Sequence, residues 1–268
     1  RIDTTTHPFC TGLAPGDTRL TTRYDSGDFT TSLYGVMHEA GHGMYEQGLP
    51  DEHFGTPAGS SASLGIHESQ SRLWENHVGR GAEFWNHWFP RAARHFDGLA
   101  GKSAEDLAAA ARRSQPGFIR VDADEASYDL HIILRFEIER DLVAGDLDPA
   151  DVPAAWNERF EKVFGLRIEK DSDGCLQDIH WSMGAIGYFP TYTLGNLAAA
   201  QLFARARSER PEIDTELASG EYGSLLDWMR QKVHVRGAQK PPAELLEEAT
   251  GEPLDARYHL EHLRGRYL

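Results

Sequence analysis

Three residues within one helical turn offer the strongest chemistry in this sequence. His38-Glu39-Ala40-Gly41-His42 fits the pattern H-E-x-x-H. On a helix, side chains four apart share a face, so His38 and His42 point the same way. Two imidazoles so placed can hold one Zn²⁺ by ring nitrogens. Glu39, next to the first of them, can then serve as general base toward a metal-activated water. Read bare, the same five residues also suit a surface helix with two satisfied histidines and a solvated glutamate.

The flanking residues favour the first reading. Thr30-Thr31-Ser32 offers a helix start, and Leu33, Val36, Met37, Ala40, Met44 and Tyr45 recur at helical spacing. Gly41 and Gly43 are poor helix formers and suggest close approach by another helix or by substrate. A catalytic zinc takes three protein ligands and keeps one position open. Glu68, 26 residues after His42, is the candidate third ligand. It lies in a second helical stretch whose apolar positions are Ile66, Leu73, Trp74 and Val78. The Gly-, Ser- and Pro-rich segment from Gly48 to Ser63 gives the chain room to turn back. His67 points elsewhere on that helix, toward a supporting or substrate-facing role.

With these residues in place, the sequence resembles the carboxypeptidase Taq family of zinc metallocarboxypeptidases. The zinc helix and His67-Glu68-Ser69-Gln70 are two of the matching elements. Asp17-Thr18-Arg19-Leu20-Thr21 resembles the family's D-x-R-x-T. Ile119-Arg120-Val121-Asp122-Ala123-Asp124 resembles its I/V-R-x-x-A-D. Gly174-Cys175-Leu176-Gln177-Asp178-Ile179-His180-Trp181 resembles its G-x-x-Q-D-x-H-W. The five stand in the family's order across essentially the whole chain. The resemblance implies a homodimer, and a helical N-terminal half ahead of the first motif, which this sequence lacks. Residues 1–268 are therefore expected to be the catalytic portion of such an enzyme, as a C-terminal fragment.

The expected reaction is removal of single residues, with broad specificity, from peptide C-termini. His38, His42 and Glu68 hold the zinc, a set that Co²⁺ would also suit. Glu39 takes a proton from water and returns it to the leaving amine. The developing oxyanion needs a further donor. His180 and Tyr192 are the candidates, with Tyr188 as competitor. Arg is the natural reader of a terminal carboxylate. Arg120 is the first candidate, since the resemblance puts its motif at the substrate groove; an ion pair with Asp122, Asp124 or Glu125 is the plainer alternative. Arg19 is the second candidate, placed by its motif where it could limit substrate entry, or else holding a strand edge. Gln177 is assigned to the substrate groove, and with Asp178 it could orient His180. Trp181 is expected to pack beneath the site.

The elements that must position these residues read as mainly α, a zincin-like helical metallopeptidase with a small β element near residues 16–25. Helical spacing marks residues 30–47, 66–79, 80–98, 103–114, 124–144, 151–164, 191–208, 213–219, 222–236 and 241–248. Residues 1–28 read as extended or irregular. The formal net charge of −15 argues against nucleic-acid binding. No apolar run approaches the roughly 18–20 residues of a membrane span, and no signal peptide is evident. Two cysteines, Cys10 and Cys175, cannot form a disulfide framework and point to the cytoplasm. Two other readings stand beside the first. One is a thimet-type zinc oligopeptidase, against which the Arg120 and Gln177–Trp181 motifs weigh. The other is a non-catalytic zinc-binding fragment, self-associated or partnered with the missing half.

Overall fold

The computed structural model describes all 268 residues. The chain is mainly helical, with one three-stranded sheet at its start. Strands β1 (Ile2–Thr4), β2 (Cys10–Ala14) and β3 (Asp17–Thr22) are followed by α1 (Phe29–Glu46), α2 (Leu64–Arg72), α3 (Ala82–Ala92) and α4 (Ala104–Ala111). Then come α5 (Glu125–Ala144), α6 (Val152–Phe164), α7 (Pro190–Glu209), α8 (Glu212–Ser219), α9 (Gly223–Lys232), α10 (Pro242–Thr250) and α11 (Arg257–Tyr267). The chain divides into two compact units: residues 1–111 with 194–266 and 268, and residues 112–193 with 267.

In the first unit, β3 is the middle strand, parallel to β1 and antiparallel to β2. Pro15-Gly16 joins β2 to β3, and Gly16 takes φ 76°. That is the residue order a type II turn asks for, with glycine where φ must be positive. The sheet is thus larger than the expected element near residues 16–25. β1 is exposed along its whole length and shows no alternation to read.

Helix α1 starts one residue earlier than expected. Its N-cap is Asp28, whose carboxylate accepts from the Thr30 amide at 2.8 Å. Ser63 caps α2 in the same way through the Ile66 amide. The helix expected over 66–79 is not uniform: after Arg72 it widens into a π-helix, Leu73–Gly79, buried throughout. π-Helical turns are uncommon and often mark functional sites. The core of this unit gathers Tyr45, Ile66, Leu73, Trp74 and Val78 with Leu202, Trp228 and their neighbours. Helix α11 has no counterpart in the sequence expectations, because His259 is its one buried residue and it carries no apolar stripe.

The second unit is built on α5 and α6. Leu134 and Ile138 pack with Trp156, Phe160 and Phe164. A smaller cluster joins Tyr128, Ile132 and Phe189. Asp124 caps α5 by accepting from the Ala126 and Ser127 amides. Both cysteines are free thiols. No helix is long and apolar enough to cross a membrane.

Candidate active site

The turn spacing of α1 aligns His38, His42 and Glu46 along one side of the helix. From α2, Glu68 faces the two histidines. Its Oε2 lies 3.9 Å from His38 Nε2 and 3.6 Å from His42 Nε2. One donor atom from each of the three residues falls within 4.8 Å of the others. Donors around a tetrahedral Zn²⁺ with bonds of about 2.0–2.1 Å stand roughly 3.3–3.4 Å apart. The cluster therefore has the donor types and count to hold a metal ion, at separations somewhat wider than those around tetrahedral zinc.

The rest of each ligand is held from behind. His38 Nδ1 meets Glu75 Oε2 at 2.9 Å. His42 Nδ1 meets His67 Nδ1 at 2.6 Å, and His67 Nε2 meets Glu46 Oε1 at 2.8 Å. These bonds have one consistent proton arrangement for metal binding. His42 donates from Nδ1 to His67, and His67 donates from Nε2 to Glu46. Both ligand histidines then keep a lone pair on Nε2, the atom that faces Glu68. Arg72 Nε donates to Glu68 Oε1 at 2.7 Å, which leaves Oε2 for the histidines. Arg72 Nη1 also reaches Glu75, whose other oxygen accepts from Arg80 at 3.0 Å.

Burial and charge set the protonation states. Burial drives His42 down to about 2, with help from the neighbouring His38 and His67, so its ring is neutral. At His38 burial pulls the same way, but Glu68 and the bond to Glu75 outweigh it and raise the pKa. Glu75 is also buried, yet Arg72, His38 and Arg80 overcome that and hold it ionised. Glu39 is buried as well. Burial raises its pKa, His38 opposes this and Glu68 adds to it. A carboxylate raised in this way is better matched to general-base work than an exposed one.

The glycines of the motif have separate explanations. A Cβ on Gly41 would stand 2.6 Å from the Gln70 carbonyl oxygen and 2.7 Å from Ser71 Cα. The close approach is that of α2. A Cβ on Gly43 would meet Thr18 and Cys10 of the sheet.

The second unit gathers the remaining candidates. Arg120 is buried, and its partner is none of the three acids expected from sequence: Nε and Nη2 bind Asp178, the latter at 2.7 Å. Nη1 donates to Tyr128 Oη at 2.7 Å. Asp178 also accepts from Arg135 Nε at 2.8 Å. Gln177 is occupied by backbone: Oε1 accepts from the Arg120 amide, and Nε2 donates to the Phe118 and Asp173 carbonyls. It positions the Arg120 segment and does not touch His180. His180 Nε2 bonds Tyr192 Oη at 3.0 Å, and Nδ1 lies 3.9 Å from Asp178. Tyr188 packs beside both, 5.1 Å from the His180 ring and 5.6 Å from that of Tyr192. Trp181 donates to Glu139 and packs edge-on against Trp156 and Phe189.

Arg19 sits on β3, the central strand, so it holds no strand edge. Its guanidinium pairs with Asp17, two residues away, on an exposed surface.

The family model for carboxypeptidase Taq (M32) metallopeptidases matches residues 1–267. The chain belongs to this family. It is 48% identical over 267 residues to thermostable carboxypeptidase 1 of Thermus thermophilus, covering 100% of this chain and 52% of that protein. It is 41% identical to carboxypeptidase 1 of Bacillus subtilis, covering 54% of it. Among solved structures, the M32 carboxypeptidase from Deinococcus radiodurans superposes with a TM-score of 0.97 at 44% identity, over 99% of this chain and 54% of that one. The chain thus spans about half the length of the relatives it matches.

Several residues of the M32 chain's site had no role in the sequence reading: Glu46, Arg72, Glu75 and Arg80. Two carried a readable signal. Glu46 follows His42 by four residues and Glu75 follows Glu68 by seven, so each shares a helical face with a ligand. Arg72 and Arg80 carried none, since any helical arginine near a glutamate looks alike in sequence.

Proposed function

We propose that this chain carries the catalytic centre of a zinc carboxypeptidase that removes single residues of many kinds from peptide C-termini. The observation that carries the reading is the His38–His42–Glu68 cluster, whose donors lie within 4.8 Å of one another with a hydrogen-bonded partner behind each residue. His38 and His42 contribute Nε2 and Glu68 contributes Oε2. The metal, when bound, polarises the scissile carbonyl and lowers the pKa of water. Glu39 accepts the water proton and hands it to the leaving amine. Its buried, acid-weakened carboxyl supports that role.

His180 and Tyr192, bonded to one another, are proposed to donate to the developing oxyanion, with Tyr188 lining the same pocket of aromatic rings. Arg120 is proposed to read the substrate carboxylate. Because Asp178 and Tyr128 already engage three of its nitrogens, it would do so with its remaining N–H groups and its charge. Gln177 serves the groove by holding the Arg120 backbone in place, and Arg19 marks its outer limit. The two free cysteines support a reducing, cytoplasmic setting. A homodimer, or assembly with a further segment of the length its relatives carry, is part of the same proposal.

The test compares a free short peptide with its C-terminally amidated form, each with and without chelator. Release of one residue from the free peptide alone, lost with chelator and restored by Zn²⁺, supports the reading. Equal cleavage of both peptides would point to an oligopeptidase instead. Stoichiometric zinc with no turnover would assign this chain a metal-binding role that needs a partner segment for catalysis.

A further inference from the structure

Helix α2 is gripped at two levels by glycines from two other helices. On one side is Gly41 of α1, whose added Cβ would sit 2.6 Å from Gln70 O, 2.7 Å from Ser71 Cα and 2.9 Å from Gln70 C. On the other is Gly195 of α7, whose added Cβ would sit 2.5 Å from Glu68 Cγ, 2.7 Å from Glu68 Cβ and 3.2 Å from its carbonyl carbon. Neither glycine takes a positive φ, so the backbone does not ask for glycine at either place. Each costs its helix about 1 kcal/mol relative to alanine. The reason for both lies in what they touch.

What they touch cannot easily give way. The Gly41 contact is with main chain. The Gly195 contact is with the first two carbons of the Glu68 side chain, not its mobile end. Ser69, Gln70 and Ser71 are fully buried. Gln70 is tied through Oε1 to His234 Nε2 at 2.9 Å, and Ser71 Oγ donates to the Glu68 carbonyl at 2.8 Å. A methyl on either glycine would therefore displace the helix or turn Glu68 at its base. Either movement shifts Oε2, which now lies 3.6 and 3.9 Å from the two imidazole nitrogens.

We infer that Gly41 and Gly195 are positioning residues, a slot that fixes the height of α2 and the angle of Glu68 so that the third ligand meets both histidines. The inference rests on the metal-site reading above. It extends that site beyond the groups that bond to the ligands, to a main-chain contact on α7 that carries no polar atom of its own to the cluster.

The experiment measures zinc dissociation constants by competition with a chromophoric chelator, for the unmodified chain, Gly195→Ala, Gly41→Ala and the control Gly265→Ala. Gly265 is exposed on α11 with open space around it. Gly195→Ala and Gly41→Ala should weaken zinc binding at least tenfold and alter the visible absorption of bound Co²⁺, while Gly265→Ala leaves both unchanged. A Gly195→Ala protein that binds zinc within twofold of the unmodified chain overturns the slot but leaves the metal site standing. An unmodified chain that binds no zinc overturns the metal site, and the slot with it. A cycle on the metal-free protein covers the case where Gly195→Ala folds poorly. Its loss of melting temperature should shrink by at least half when Glu68→Gly removes both Cβ and Cγ from its path. An equal loss in both backgrounds shows that the methyl does not meet Glu68, and the inference fails.

Discussion

Each unit of this protein buries a cluster of charges, and the two clusters are completed differently. In the second unit, Asp178 takes hydrogen bonds from both Arg120 and Arg135. The surplus positive charge lies over aromatic faces: Arg135 is 4.7 Å from the Trp156 ring centroid, and Arg120 is 4.8 Å from that of Tyr192. In the first unit, Glu68 Oε2 and the two Nε2 atoms face each other at 3.6 and 3.9 Å, too far for hydrogen bonds. Every other polar atom of those three side chains that could point away is engaged, by Arg72, Glu75 or His67. One cluster neutralises its carboxylate with its own arginines. The other converges three lone pairs on a point that a cation would satisfy. Burial alone does not mark a metal site; what matters there is whether the buried donors have already found one another.

The comparison can be broken most sharply at Glu39. Glu39→Gln should lower kcat by about 10²–10⁴ while zinc stoichiometry stays at the unmodified level, as read by metal analysis and single-residue release. Loss of metal together with activity would instead make Glu39 a structural part of the cluster.

Asp178→Ala tests the cluster that neutralises itself. It leaves two buried guanidinium groups without their carboxylate, a loss on the order of 3–5 kcal/mol, read as a lower denaturation midpoint. Added Zn²⁺ should still raise the melting temperature of this variant, since a ligand that binds only the folded state stabilises it. In Glu68→Ala that rise should vanish.

Glu75→Gln keeps the shape behind His38 and removes the charge. Zinc affinity should fall about 10–100-fold, measured by chelator competition, and the metal-free melting temperature should fall too, because Arg72 and Arg80 lose a buried carboxylate partner. An unchanged affinity would mean that Glu75 serves Arg72 and Arg80 and not the ligand.

A pH-dependent effect is expected at His131, whose ring nitrogens have no hydrogen-bond partner among Phe160 and Phe164. Burial, with Arg135 and Arg120, lowers its pKa from 6.5 to about 3. Between these values the unfolded chain binds a proton that the folded chain does not. The contribution of neutral His131 is therefore complete above its unfolded pKa and is lost as pH falls toward 3. His131→Leu should flatten the fall in stability across that window, in melts at stepped pH. A slope unchanged by the substitution would assign the acid sensitivity elsewhere.

Much of this molecule was legible in the chain itself. Helical periodicity located ten of the helices, most to within a few residues, though α3 ends six residues before the expected 98 and the stretch expected over 66–79 is α-helical only to Arg72. α11 escaped because it buries almost nothing, and β1 because it buries nothing. The candidate cluster of His38, His42 and Glu68 was legible because metal chemistry demands fixed residue types at a fixed turn spacing, and a helix imposes that spacing locally. What only the tertiary structure decided are contacts between residues far apart in sequence. Asp178 reaches Arg120 across 58 positions, and Glu75 reaches His38 across 37. The meeting of Gly195 with Glu68 is of the same kind. Local sequence fixes which face a side chain takes on its own helix. Which face of another helix it meets is set by how the whole core packs, and no local pattern records that.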